Sequence, residues 1–159
     1  MLYTVNTNLL TSDCTVIAHV MNCFSDMDYG IASEIKDKYP MAQSMDSQLP
    51  YSPEEKLGEL SFAYESDKPI IIFNLYGQYS YGRGRHLDYS AFPSSLDKMF
   101  DILLTLPDDV KKVSPGIKIG FPYLIGQKLT PYAYELKRSH EILEYYSHKY
   151  KKNIFLYKS

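Results

Sequence analysis

Cys14, His19 and Cys23 fall within ten residues of one another, with Asn22 and Asp28 close by. Such a cluster invites three chemistries: metal ligation, thiolate attack and proton transfer. Spacing argues against the first two. No fourth ligand is evident for a closed zinc site, so no metal is expected. A phosphatase-type cysteine loop needs an arginine six residues after the nucleophile, where this chain has Tyr29. His19 lies three residues before Asn22, so pleat alternation puts the two on opposite faces and leaves His19 as a core residue bonded to a neighbour. Asn22 itself suits a turn at a strand end. What remains is anion binding. Thr15 to Val20 is an apolar run, a polar loop follows, and Gly30 opens a helical pattern; strand, loop and helix N-terminus together cradle phosphate with backbone N–H groups.

The elements that must hold this loop follow from periodicity. Ile31, Ile35 and Tyr39 give the first helix one apolar face, and Pro40 ends it. Leu2 to Asn6 is a β-prone strand at or near an edge. Met41 to Glu55 is polar, carries Pro50 and Pro53, and reads as a long surface connection with a helical turn around Ser52 to Lys56. Leu57 to Tyr64 alternates as a half-buried strand, Ser66-Asp67-Lys68 turns the chain, and Pro69 to Tyr76 is a core strand. Tyr89 to Leu106 keeps helical spacing, with Asp88 as its N-cap. Pro107 to Gly116 turns the chain, Ile117 to Phe121 is a short strand, and Thr130 with Pro131 starts a last helix before the strand Asn153 to Tyr157. Helices alternating with strands too apolar to face water predict a three-layer α/β/α sandwich with a mixed central sheet, in one domain spanning residues 1–159.

With 45% hydrophobic residues in 159, the chain has material for one substantial core. A net charge of −2 argues against a protein devoted to wrapping nucleic acid or coating an anionic membrane. No leader-like start and no membrane-length apolar stretch are evident, and Cys14 and Cys23 read as free thiols, so the expected location is the cytoplasm, with no membrane partner. Sixteen tyrosines and no tryptophan suit pocket walls or simple surface filling. The glycine-rich stretch Gly77 to Asp88 reads as a mobile loop. Its Arg83, Arg85 and His86, interleaved with Tyr79 and Tyr81, fit three roles: stacking on single-stranded nucleic acid, closing over a dinucleotide, or plain solvation.

VIAHVMNCFSDMDYGIASEIKDKYP, then LGEL, then FNLYGQ with RHLDYSAF, then IGFPYLIG occur in an order that resembles a macrodomain over nearly the whole chain. The likeness is greatest to small members related to ADP-ribose-1''-phosphate phosphatases and terminal ADP-ribose glycohydrolases, phage-encoded ones included, for which the location would be the host cytoplasm. It implies ADP-ribose, or a derivative, bound across the carboxyl ends of the central strands, with no cofactor. Asn22 matches the asparagine that bonds the distal ribose, and Tyr29, Gly30, Ile31 and Ala32 match the first phosphate loop. Asn8, with the Leu9 backbone, stands where the family reads adenine with an aspartate. Tyr123, Leu124, Ile125, Gly126, Gln127 and Lys128 match the second loop, and Gln78 falls near the lysine of one glycohydrolase branch.

Departures from the pattern bear on chemistry. Asp28 replaces the glycine that commonly opens the first loop, and either faces solvent or serves a reaction at the distal ribose. Only Ile125, Gly126 and Leu129 survive of the second-loop pattern, its hydrolytic aspartate falls on Ala133, and Gln78 cannot form a sugar adduct. The resemblance therefore implies a phosphatase or glycohydrolase acting through Asn22 and Asp28, or a reader without catalysis. A third reading is a degenerate fold that binds nucleic acid or a protein through the Tyr/Arg stretch. An ADP-ribosylated protein or nucleic acid is the partner implied by the first two.

Overall fold

The computed structural model describes residues 1–80, 87–106, 116–126 and 133–158. Six strands, β1 (Leu2–Val5), β2 (Val16–Val20), β3 (Leu60–Glu65), β4 (Ile70–Leu75), β5 (Ile119–Pro122) and β6 (Ile154–Tyr157), form one sheet in the order β1-β6-β5-β2-β4-β3. All neighbours pair in parallel except β3 with β4. The sheet is thus mixed, with β1 at an edge and β2 between β5 and β4. Every residue of β2 and β4 is buried, which is why both read as apolar runs broken only by His19 and Asn74.

The helices are α1 (Gly30–Lys38), α2 (Pro40–Gln48), α3 (Pro53–Lys56), α4 (Ala91–Leu104) and α5 (Ala133–Tyr150), with a 3₁₀ turn at Leu9–Thr11. Pleat alternation sorts the core. Val16, Ala18 and Val20 of β2, with Ile71, Phe73 and Leu75 of β4, pack against Phe92, Leu96 and Phe100 of α4 and Leu143 of α5. Ile17, Met21, Ile72 and Tyr76 face Ala32 and Ile35 of α1 and Ala42 of α2. Burying one such aliphatic or aromatic side chain contributes about 1.5–3 kcal/mol, so the two layers of side chains hold the sheet rigid beneath its loops.

Several sequence expectations change. Pro40 does end α1, yet it also begins α2, because the first helical position needs no N–H donor and tolerates proline's fixed φ. The stretch expected to be a surface connection therefore contains eight of the nine residues of α2, anchored by Ala42 and Asp46 on the buried side. The strand expected from Leu57 begins at Leu60, since Gly58 sits at φ 88 against Ser94 of α4. Gly77 and Gln78, expected at the start of a mobile loop, are buried, and Asp88 donates its N–H to the Gly77 carbonyl. Asp88 does not occupy the N-cap position, which is Ser90, but its carboxylate accepts from the Ser90 and Ala91 N–H groups and does the capping from two residues away. Tyr81 to His86, Pro107 to Pro115 and the expected Thr130 and Pro131 cap lie outside the described residues. Among the described residues, no helix is long and apolar enough to cross a membrane.

Candidate functional site

Because β2, β4 and β5 run parallel, their carboxyl ends meet on one edge, and the described parts of the loops leaving them form the candidate site. The loop after β2 is organised by Asn22, whose side chain is fully buried. Its Oδ1 accepts the N–H groups of Phe24 at 2.8 Å and Asp26 at 3.3 Å, and its Nδ2 donates to the Asp26 carbonyl at 3.0 Å. This is the asparagine turn chemistry expected of the residue type, closed around Ser25 at φ 61. Asp26 in turn accepts the Asp28 N–H at 3.0 Å. Asp28 is exposed and pairs with Lys36 of α1 at 3.2 Å, so of the two positions open to it in sequence it takes the solvent-facing one.

The loop ends at the N-terminus of α1. Tyr29 precedes the helix in extended backbone, contributes no side-chain cap and is 71 % exposed, and Gly30 begins the helix at φ 58. No acidic residue lies in the first turn. The first N–H groups of a helix lack intrahelical acceptors and carry partial positive charge. Here no side chain of the cap residue covers them, in contrast to α3, which Ser52 and Glu55 close with a capping box. Adding a Cβ at Gly30 would meet nothing within 4 Å, so the glycine is there for its backbone angle and leaves open space above it.

The loops after β4 and β5 complete the edge. Gln78 is buried, donates Nε2 to the Ser80 carbonyl at 3.1 Å, and leaves its Oε1 so near Gly126 that a Cβ there would come within 3.0 Å. Gly126 itself sits at φ 93. Cys23 N–H donates to the Tyr79 carbonyl at 2.9 Å, and the Phe24 and Tyr79 rings meet edge to face at 5.2 Å. Tyr123 donates its N–H to the Tyr157 carbonyl at 3.0 Å, and its own carbonyl accepts from His140 Nε2 at 2.7 Å. Leu124 is exposed and Ile125 buried. Asn8 caps the 3₁₀ turn, accepting the Leu10 N–H at 2.8 Å, while Leu9 is buried beside it.

A six-stranded mixed sheet with loops gathered at the ends of its central strands has solved counterparts. No family model matches the sequence, and no curated protein does. Three-dimensional comparison is more informative. The macrodomain of DarG from Thermus aquaticus superposes with a TM-score of 0.70 at 18% identity, over 100% of this chain and 99% of that one. A macrodomain protein from Streptomyces coelicolor gives 0.74 at 14% identity, over 100% and 99%. DarTG from Thermosipho africanus, solved in complex with ADP-ribose, gives 0.72 at 14% identity, over 99% of this chain and 41% of that longer one. The chain has the macrodomain fold.

Within the macrodomain fold the sequence-derived residues come together unevenly. Asn22, Asp28, Tyr29, Gly30, Ile31 and Ala32 form one continuous loop and helix start, and Gln78 reaches Gly126 across from it. Gln127 and Lys128 lie outside the described residues. His19 is wholly buried, with Nε2 2.7 Å from Asn74 Oδ1 and Nδ1 without a partner, and burial pushes its pKa down to about 4. It is the core histidine that pleat geometry expects. Cys14 and Cys23 are both free and buried, and desolvation raises the Cys23 thiol to about 11, away from thiolate chemistry at neutral pH. Among the described residues, no group of three or more His, Cys, Asp and Glu side chains could hold a metal ion.

Sequence reasoning missed a buried polar chain beneath the site. Asn74 joins His19 to Ser61, Ser61 meets the Tyr76 hydroxyl at 2.8 Å, Tyr76 donates to Asp46, and Asp46 pairs with Lys56 at 3.1 Å. Lys56 then donates to Ser25 Oγ at 2.8 Å, which returns the chain to the β2–α1 loop. A charged residue four positions from Ala42 on α2 was the available signal, but it needs α2 to be recognised first.

Proposed function

We propose that the chain binds ADP-ribose, or a derivative of it, across the carboxyl ends of β2, β4 and β5. The observation that carries this reading is the N-terminus of α1, free of a side-chain cap and of acidic residues, opening at Gly30 beneath a loop pinned by Asn22. Such an end favours an anion by its N–H groups and its dipole together. On this reading Tyr29 to Ala32 hold the diphosphate, the Tyr123 to Gly126 segment lies on its other side, and Asn8 with Leu9 marks the adenine end. Asn22, with its side chain buried, acts through the loop it shapes. The macrodomain fold, and ADP-ribose in the Thermosipho africanus DarTG structure, support the choice of ligand.

Binding without turnover is favoured over hydrolysis by the groups at hand. Asp28 is turned to solvent and held by Lys36, Gln78 is an amide, the position of the hydrolytic aspartate is Ala133, and the Cys23 thiol is protonated. Neither an amide nor an alanine can take a proton from water, and the Cys23 thiol is held in its protonated form. An ADP-ribosylated protein or nucleic acid presents the same end group and is the partner this implies. Titration calorimetry with ADP-ribose, run beside an assay for released phosphate or ADP-ribose from derivatised substrates, tests both parts. Heat without product is expected, with binding lost in Asn22→Ala; product formation assigns a hydrolase, and absence of heat overturns the ligand.

A further inference from the structure

We propose that Lys56, fixed by buried Asp46, is a positioning residue for this site: it holds Ser25, and through Ser25 the β2–α1 loop, in the shape that receives the ligand. The inference rests on the ADP-ribose reading for its consequence in affinity, but its geometry is independent of it. The Lys56 and Asp46 side chains are 6% and 0% exposed. Taking an ion pair out of water costs about as much as the attraction returns, so a buried pair is weak evidence for a stability role and stronger evidence for a geometric one. The geometry here is specific. Lys56 Nζ reaches Asp46 Oδ1 at 3.1 Å and Ser25 Oγ at 2.8 Å, and it lies over the Tyr76 ring at 5.1 Å. Asp46 is itself held by the Tyr76 hydroxyl, which Ser61 steadies in turn.

Ser25 is the residue through which such a hold would act. It sits at φ 61, a backbone region that side chains with a Cβ enter only at steric cost, between the two residues that Asn22 binds. A serine persists there where something fixes it, and its hydroxyl is fixed by a buried cation. The short helix α3 supplies that cation from a base closed by the Ser52–Glu55 capping box. The same helix braces the loop a second time: Glu54 accepts from the Tyr79 hydroxyl at 2.9 Å, and the Tyr79 carbonyl accepts from Cys23 N–H. α3, rather than β2 or α1 alone, therefore sets the height of the loop above the sheet.

The test compares Ser25→Ala, which keeps the Cβ and removes only the acceptor, with Lys56→Met and the double variant. Hydrogen exchange of the amides from Cys23 to Asp28 is measured without ligand, and affinity for ADP-ribose by calorimetry. Loss of a hydrogen bond to a charged group predicts about tenfold faster exchange confined to this loop and about tenfold weaker binding in Ser25→Ala. The double variant should lose no more than Lys56→Met alone. A purely structural Lys56 would leave loop exchange and affinity in Ser25→Ala unchanged, and that result overturns the proposal. If Lys56→Met fails to fold, Ser25→Ala decides. If the parent protein gives no heat with ADP-ribose, the functional reading fails, and the exchange measurement alone decides whether Lys56 positions the loop.

Discussion

Lowering the pH should weaken this fold through His19 before the carboxylates take part. His19 is wholly buried, its Nε2 bonded to Asn74 Oδ1, and its unpartnered Nδ1 would have to accept a proton away from the surface. Desolvation, only partly opposed by the Asn74 bond and the Asp46 charge, brings its pKa to about 4, against 6.5 for the unfolded chain. The native state thus binds fewer protons than the unfolded one between these values, and stability falls as pH drops from about 6.5 towards 4. A gap of this size corresponds to roughly 3 kcal/mol in full, most of which is lost by pH 4.5. His140, whose pKa burial also lowers, acts in the same direction and is present in both proteins compared. The assay is urea unfolding of the parent and His19→Gln at pH 7.5 and 4.5. Whatever the substitution costs at pH 7.5, its loss on acidification should be smaller by about 2 kcal/mol. Parallel losses in the two proteins would refute the reasoning and assign the acid sensitivity elsewhere.

Other consequences are as specific. Gly120→Ala would place a Cβ 2.6 Å from Cys14 Sγ and 2.7 Å from Leu9 Cδ1, and should destabilise by about 1–3 kcal/mol in denaturant melts, with the Leu9 turn displaced. Asp28→Asn removes an exposed pair with Lys36, so unfolding should change by less than about 1 kcal/mol, while ADP-ribose should bind more tightly at low salt and with a smaller gain at high salt. Cys14 and Cys23 should resist iodoacetamide at pH 8 in the native protein and react fully in denaturant, as followed by mass spectrometry; rapid native labelling of Cys23 would contradict its burial and raised pKa.

The sheet was legible because its strands are the kind a sequence advertises. β2 and β4 are buried on both faces and appear as apolar runs interrupted only by His19 and Asn74, and α4 presents Phe92, Leu96 and Phe100 at helical spacing. α2 was illegible because its nine residues bury only Ala42 and Asp46, too little for a periodic signal, and because Pro40 marks a stop and a start with the same residue. The turn after β2 and the start of α1 could be read from Asn22 and Gly30, whose types act locally. Their support could not: Lys56 meets Asp46 ten positions away and Ser25 thirty-one positions away, contacts that only the closed fold creates. The fate of Asp28 was likewise undecided in sequence until α1 placed Lys36 beside it.

The central claim is that ADP-ribose seats at the start of α1, and an amide-resolved NMR titration tests it most directly. Addition of ADP-ribose should shift the amides of Tyr29, Gly30, Ile31 and Ala32 most strongly, with those of Ile125 and Gly126 moving in the same titration. Those of β1 and of the carboxyl half of α5 should stay in place. A saturable response centred elsewhere, or none at millimolar ligand, would contradict the account.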